Sequence, residues 1–162
     1  MRAQWPRLTA LLLGLCLMGC GPSGLRPERG ISSALQRSSD SRRWPSMGNR
    51  WLASIASRNG RERVELVDLR NGQPVPLPGI NQADAQPISV SVSADGNRIA
   101  LIRSRDGRTE LMLYRRGVGI LQRLPVEPAG VPREVSLDGS GRLLAVQVSR
   151  QGRWDVDLIR LP

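Results

Sequence analysis

From residue 44 onward the chain is written in short apolar runs. Runs of four to seven residues alternate with turn residues, and no stretch holds a 3.6-residue apolar period long enough for a helix. Trp51–Ala56, Arg63–Leu69, Ile88–Val92, Arg98–Arg103, Thr109–Tyr114, Ile120–Leu124, Arg133–Leu137, Leu143–Val148 and Trp154–Leu161 read as strands. Pro74–Leu77 is a weaker candidate because proline cannot donate to a ladder.

One phrase recurs within this pattern. S-R-x-G-R stands at Ser57–Arg61, Ser104–Arg108 and Ser149–Arg153, spaced 47 and then 45 residues apart. Each copy separates two apolar runs and is centred on Asn59-Gly60, Asp106-Gly107 or Gln151-Gly152. A two-residue hairpin needs positive φ at both central positions, which Asn-Gly and Asp-Gly supply and Gln supplies least well. The phrase therefore predicts three equivalent hairpins. A second mark precedes each one: Ser93-Ala-Asp-Gly-Asn-Arg98, Ser136-Leu-Asp-Gly-Ser-Gly-Arg142, and a degenerate Trp44-Pro-Ser-Met-Gly-Asn-Arg50 with Met47 where aspartate is expected. The unit is turn, strand, S-R-x-G-R hairpin, strand, looser connection, strand. A period near 45 with four short strands is the mark of a β-propeller blade.

These residues resemble the blade motif of TolB-type propellers, roughly W-S-P-D-G-x-x-I-A-F…S-x-x-D-G-x-x-x-I-Y. Asp95, Gly96, Ile99, Ala100, Ser104, Asp106, Gly107 and Leu111 fall on it, as do Asp138, Gly139, Leu144, Ala145 and Gly152. The first unit keeps Trp44, Gly48 and Gly60. The resemblance covers residues 44–162 and implies approximate blades at 44–79, 88–125 and 132–162, with the last one short and the first without a clear innermost strand. TolB-type propellers are usually six-bladed, so the chain resembles half of one. Two copies could join into one ring, with a piece such as Ile31–Leu35 completing the partner's last blade; the sheets could stack as an open array; or the chain could complete another propeller. The tendency of homo-oligomers to close their symmetry favours the first.

The N-terminus reads differently. Arg2 and Arg7 precede the apolar run Leu8–Met18, which is too short to span a bilayer, in the manner of a secretory leader. Leu17-Met18-Gly19-Cys20 resembles the lipobox of bacterial lipoproteins, implying a removed leader at 1–19 and acylation of Cys20. Residues 20–43 are rich in Gly, Pro, Ser and Arg and read as a flexible tether, with an r.m.s. reach of roughly 25–30 Å. The expected fold class is all-β: a partial β-propeller of about three antiparallel blades after a signal peptide and a tether. The expected location is the cell envelope, facing the periplasm, and Gly21 in place of Asp after the lipid cysteine favours the outer membrane.

All 24 basic residues are arginine, and without Arg2 and Arg7 the chain carries 22 of them against 14 acids, a net +8. Export argues against nucleic acid, and with no phenylalanine, one tyrosine and four tryptophans stacking platforms for bases are scarce, so no nucleic acid is expected. No histidine is present, which removes Ser–His and Cys–His nucleophiles and the commonest metal ligand. No catalytic residue, metal or cofactor is expected. Asp95, Asp106 and Asp138 read as turn caps; Asp155 and Asp157 share a strand face within reach of Arg153 or Arg160; Trp51 and Trp154 read as packing between blades. The hairpins place Arg58, Arg61, Arg105, Arg108, Arg150 and Arg153 on one rim, with Glu62, Glu65 and Glu110 near enough to neutralise part of it. That rim is either an anion or acidic-partner face or charge that keeps hairpin edges soluble. The functional expectation is a lipid-anchored interaction or scaffolding module with a protein partner in the envelope, near the Tol–Pal system by resemblance. The alternative is an anion-binding module for lipid or glycan through the rim.

Overall fold

A computed structural model describes Arg26 and residues 28–162. The leader 1–19 and Cys20 lie outside the described residues. One helix, α1 (Arg29–Arg37), precedes three antiparallel sheets. The first holds β1 (Ser41–Met47), β2 (Trp51–Arg58), β3 (Arg61–Asp68) and β4 (Gln73–Val75) in that order. The second holds β5 (Ala85–Val92), β6 (Arg98–Arg105), β7 (Arg108–Arg115) and β8 (Ile120–Leu124), and the third β9 (Val131–Leu137), β10 (Leu143–Arg150) and β11 (Arg153–Arg160). The three sheets are consecutive blades of a partial propeller. No helix of the described residues is long and apolar enough to cross a membrane.

The blades stack in sequence through their innermost strands. β5 packs on β1, β2 and β3; β9 packs on β5, β6 and β7. The middle blade is thus covered on both faces, and its sequence shows it. Ile99, Leu101, Met112 and Tyr114 face the first blade, while Ala100, Ile102, Leu111 and Leu113 face the third. A strand covered on both sides reads as a continuous apolar run instead of an alternation, as in I-A-L-I and L-M-L-Y.

Two polar ladders tie the blades in register. An innermost strand leaves every second N–H pointing away from its own sheet, and the preceding blade supplies serine hydroxyls for these. Ser46 Oγ accepts from Val92 N (3.1 Å) and Ser91 Oγ from Leu137 N (2.9 Å), each across 46 residues; Ser89 Oγ accepts from Val135 N (3.2 Å). On the adjoining turns Asn49 N donates to Ala94 O, and Ala94 N to Gly139 O, both at 2.9 Å.

The N-terminal expectations need correction. The second half of the supposed tether is structured, because β1 begins at Ser41 and supplies the innermost strand that the first blade was expected to lack. Ile31–Leu35 is not a strand that could complete a partner's last blade. It lies in α1, where Ile31, Ala34 and Leu35 are half-buried at helical spacing. That helix leans on the free face of the first blade; an added Cβ at Gly72 would lie 3.5 Å from the Ala34 methyl. Met47 does not take the place of the turn aspartate either. It ends β1, and Gly48 N bonds Trp51 O across a loop shorter than those of the other blades, where Ser93 N bonds Arg98 O and Asp138 N bonds Leu143 O.

The turn glycines act as joints between blades. Gly96 has φ +70° and lies beneath Trp51, where a Cβ would come within 2.5 Å of the indole ring. Gly60 has φ +76° but nothing within 4 Å. Gly60→Ala should cost about 1 kcal/mol from backbone strain alone, and Gly96→Ala about 1–3 kcal/mol more as the indole is displaced. Urea unfolding of the two variants measures the difference.

Candidate functional site

The three hairpins form as the repeated phrase requires. Asn59 and Gly60, Asp106 and Gly107, and Gln151 and Gly152 all have positive φ, between 47° and 78°. Each turn sets its flanking arginines opposite one another: Arg58 with Arg61, Arg105 with Arg108, Arg150 with Arg153. The first two hairpins stand side by side around a hollow of about 420 Å³ lined by Arg61, Glu62, Asp84, Gln86, Arg105 and Asp106.

The rim arginines find carboxylates, though not the expected Glu62, Glu65 and Glu110. Arg58 Nε bonds Asp40 (2.6 Å), Arg105 bonds Asp84 (2.7 Å), Arg150 pairs with Asp157, and Arg153 bonds Asp155 (3.2 Å). Arg61 and Arg108 are exposed and stand outside the ion pairs of the described residues. Glu62, Glu65 and Glu110 are taken by Arg43, by Arg42 with Arg63, and by Arg103. Asp157 therefore pairs with Arg150 instead of Arg153 or Arg160. Asp95 and Asp138 cap their turns: Asp95 accepts from the Ser93 hydroxyl and Asn97 N, Asp138 from the Ser140 hydroxyl and the amides of Arg142 and Leu143. The Ser140 bond holds the Asp138 carboxyl down at about 2. Asp106 instead enters its turn through a left-handed backbone, φ 49°. Among the described residues no cluster of three or more carboxylates could hold a metal ion.

The two ends of the blade stack differ from this charged rim. Ala53, Val64 and Leu66 seal the first blade against the second; Ala100, Leu111 and Leu113 do the same for the second against the third. The hairpin register makes Ala145, Val156 and Leu158 the third set. The sealing residues of the first two sets are at most 3% exposed, yet Val156 is 67% and Leu158 69% exposed. Trp154 joins them at 61%, so it does not pack between blades as expected; Trp51 does. At the opposite end Met47 of β1 is exposed, while Trp44, exposed too, lines a hollow with Ser46, Ser89, Val90, Glu134 and Val135 of the innermost strands. That face also carries α1, which borders a hollow with Pro45, Leu52 and Ser54, and an ion cluster of Asp40, Arg42, Arg58, Arg63 and Glu65.

Comparison with solved structures places this geometry. TolB from Acinetobacter baumannii superposes with a TM-score of 0.57 at 20% identity, over 72% of this chain and 29% of that one. A putative TolB from Agrobacterium tumefaciens gives 0.59 at 15%, over 75% and 46%. The fold is that of the TolB-type β-propellers. The β-propeller domain of the Trilobed protease from Pyrococcus furiosus, described as having an open velcro topology, gives 0.51 at 12%, over 76% and 43%. The chain spans less than half the length of each of these structures. A scan against protein-family models finds no match, and neither does a search of the curated proteins.

Two features of this TolB-type structure escaped the sequence reading. The inter-blade serines were visible as Ser46, Ser91 and Ser136 at 45-residue spacing, a period already in hand. The Asp40 cluster was not, because its members come from the α1–β1 junction, β1, β2 and β3. Bonds from Arg58 and Arg63 hold the buried Asp40 carboxyl well below the usual carboxylate range. A depressed pKa contributes stability that is complete above the unfolded value, near 3.8, and is lost as pH falls through the folded one. The thermal midpoint should therefore hold down to about pH 4.5 and fall below it. Asp40→Asn should cost about 1–3 kcal/mol at neutral pH and make that acid decline shallower, which calorimetry across pH measures.

Proposed function

We propose that this chain is a non-enzymatic protein-interaction module of the cell envelope, anchored through Cys20, whose docking surface is the open face of the third blade. The observation that carries this reading is the exposure of Trp154, Val156 and Leu158 where the equivalent positions of the other blades are sealed. Each such side chain left in water forgoes about 1.5–3 kcal/mol of burial. A contiguous apolar face on a charged protein is the ordinary mark of a protein-binding surface. β11 adds a free strand edge, since no strand of the described residues pairs on its outer side.

The arginine rim supports an anion-binding reading less well, because four of its six guanidinium groups already hold carboxylates. Likeness to TolB carries fold and not function, so the proposal stops at an envelope interaction module and takes no step toward the Tol–Pal system. The test is a photo-crosslinking amino acid at position 154 in intact cells. A discrete protein adduct is expected, and Val156→Glu with Leu158→Glu should abolish it while leaving the thermal midpoint of the exposed face's blade nearly unchanged. No adduct above background, or an adduct indifferent to the two glutamates, overturns the reading.

A further inference from the structure

We infer that the occupant of this face is a second copy of the same chain, stacked head to tail so that two three-bladed units close into one ring. The inference rests on the docking surface just proposed and names its partner.

The exposed face continues, in register, an interface the molecule already builds twice. In both existing joints the third strand of one blade packs on the innermost strand of the next: β3 on β5, β7 on β9. β11 accordingly calls for an innermost strand, and β1 is the one left uncovered on that side. Large exposed apolar side chains stand at these two places, Trp154, Val156 and Leu158 on β11 and Met47 on β1, which is 68% exposed. Helix α1 stands over the same side of the first blade, where Ser32, Leu35 and Gln36 border a hollow of about 410 Å³ with Pro45, Leu52 and Ser54; Met47 lies outside the lining of that hollow.

Both polar ladders stop short in matching ways. Ser136 is the third in the series Ser46, Ser91, but it is exposed. Met47 is the first in the series whose later members, Val92 and Leu137, donate to those serines. Gly139 N is the next donor after Asn49 N and Ala94 N, and Asn49 O the acceptor that corresponds to Ala94 O and Gly139 O. One stacking operation brings Ser136 Oγ to the partner's Met47 N–H and Gly139 N–H to the partner's Asn49 carbonyl, and it covers both apolar ends. Applied twice about a two-fold axis it satisfies every one of these groups in both chains. The length agrees: this chain covers 43% of the Pyrococcus propeller domain, so two copies span roughly that domain.

The test uses the full-length lipoprotein carrying Met47→Cys and Ser136→Cys, treated in cells with a short bis-maleimide. A covalent species of twice the chain mass is expected from the double variant and not from either single variant or the unsubstituted protein. Adding Val156→Glu and Leu158→Glu should reduce that species at least tenfold, and sedimentation of the detergent-extracted protein should shift from two chains to one. A monomer at high micromolar concentration overturns the inference, as do species larger than two chains. An adduct from position 136 to a different protein overturns the second copy while leaving the interaction reading intact; the loss of every adduct, at 154 as well, removes both.

Discussion

The structure depends on one repeated contact, the seating of an innermost strand against the first three strands of the blade before it. That contact has an apolar part, a small alanine on the second strand and two branched aliphatics on the third. It also has a polar part. An antiparallel strand turns half its amides away from its own sheet, and where those amides are buried they must be bonded. Ser46, Ser89 and Ser91 meet that need from the neighbouring blade. Shape, burial and backbone satisfaction therefore all specify the same register, which is why blades of low mutual identity still stack alike.

The same contact explains the unequal ends. On its free side the first blade replaces Leu101 and Met112 with Ser54 and Glu65 at the matching positions, and covers them with α1 and a cluster of arginines around Asp40. A carboxylate so enclosed is tolerated because guanidinium forks satisfy its lone pairs. The third blade makes no such change. Its outward face keeps the sealing residues of a blade with a neighbour, with a tryptophan added.

The arginines show how little a charge count says about availability. Six guanidinium groups line the hairpins, and most are spent inside the fold, on carboxylates up to 21 residues away or on carbonyls such as Pro128 O. Arginine suits this use: its planar fork binds two acceptors at once and stacks on aromatic faces. Arg50 and Arg116 do the latter at Trp51, with ring-centroid distances of 4.5 and 4.3 Å.

The sequence by itself determined the strands from Trp51 onward, the three hairpins and the 45-residue period, because these are local. Positive φ at Asn59-Gly60 or Asp106-Gly107 is a property of two residues and does not wait for a neighbour. Only the tertiary structure decided the rest. β1, with its proline and exposed pattern, is a strand because β2 pairs with it; α1 holds because a free sheet face lies beneath it. Val64, Leu111 and Val156 stand in equivalent places on identical backbones, and two are sealed while one is wet. Nothing in the letters distinguishes them, because burial belongs to the pair of surfaces that meet and not to either surface alone.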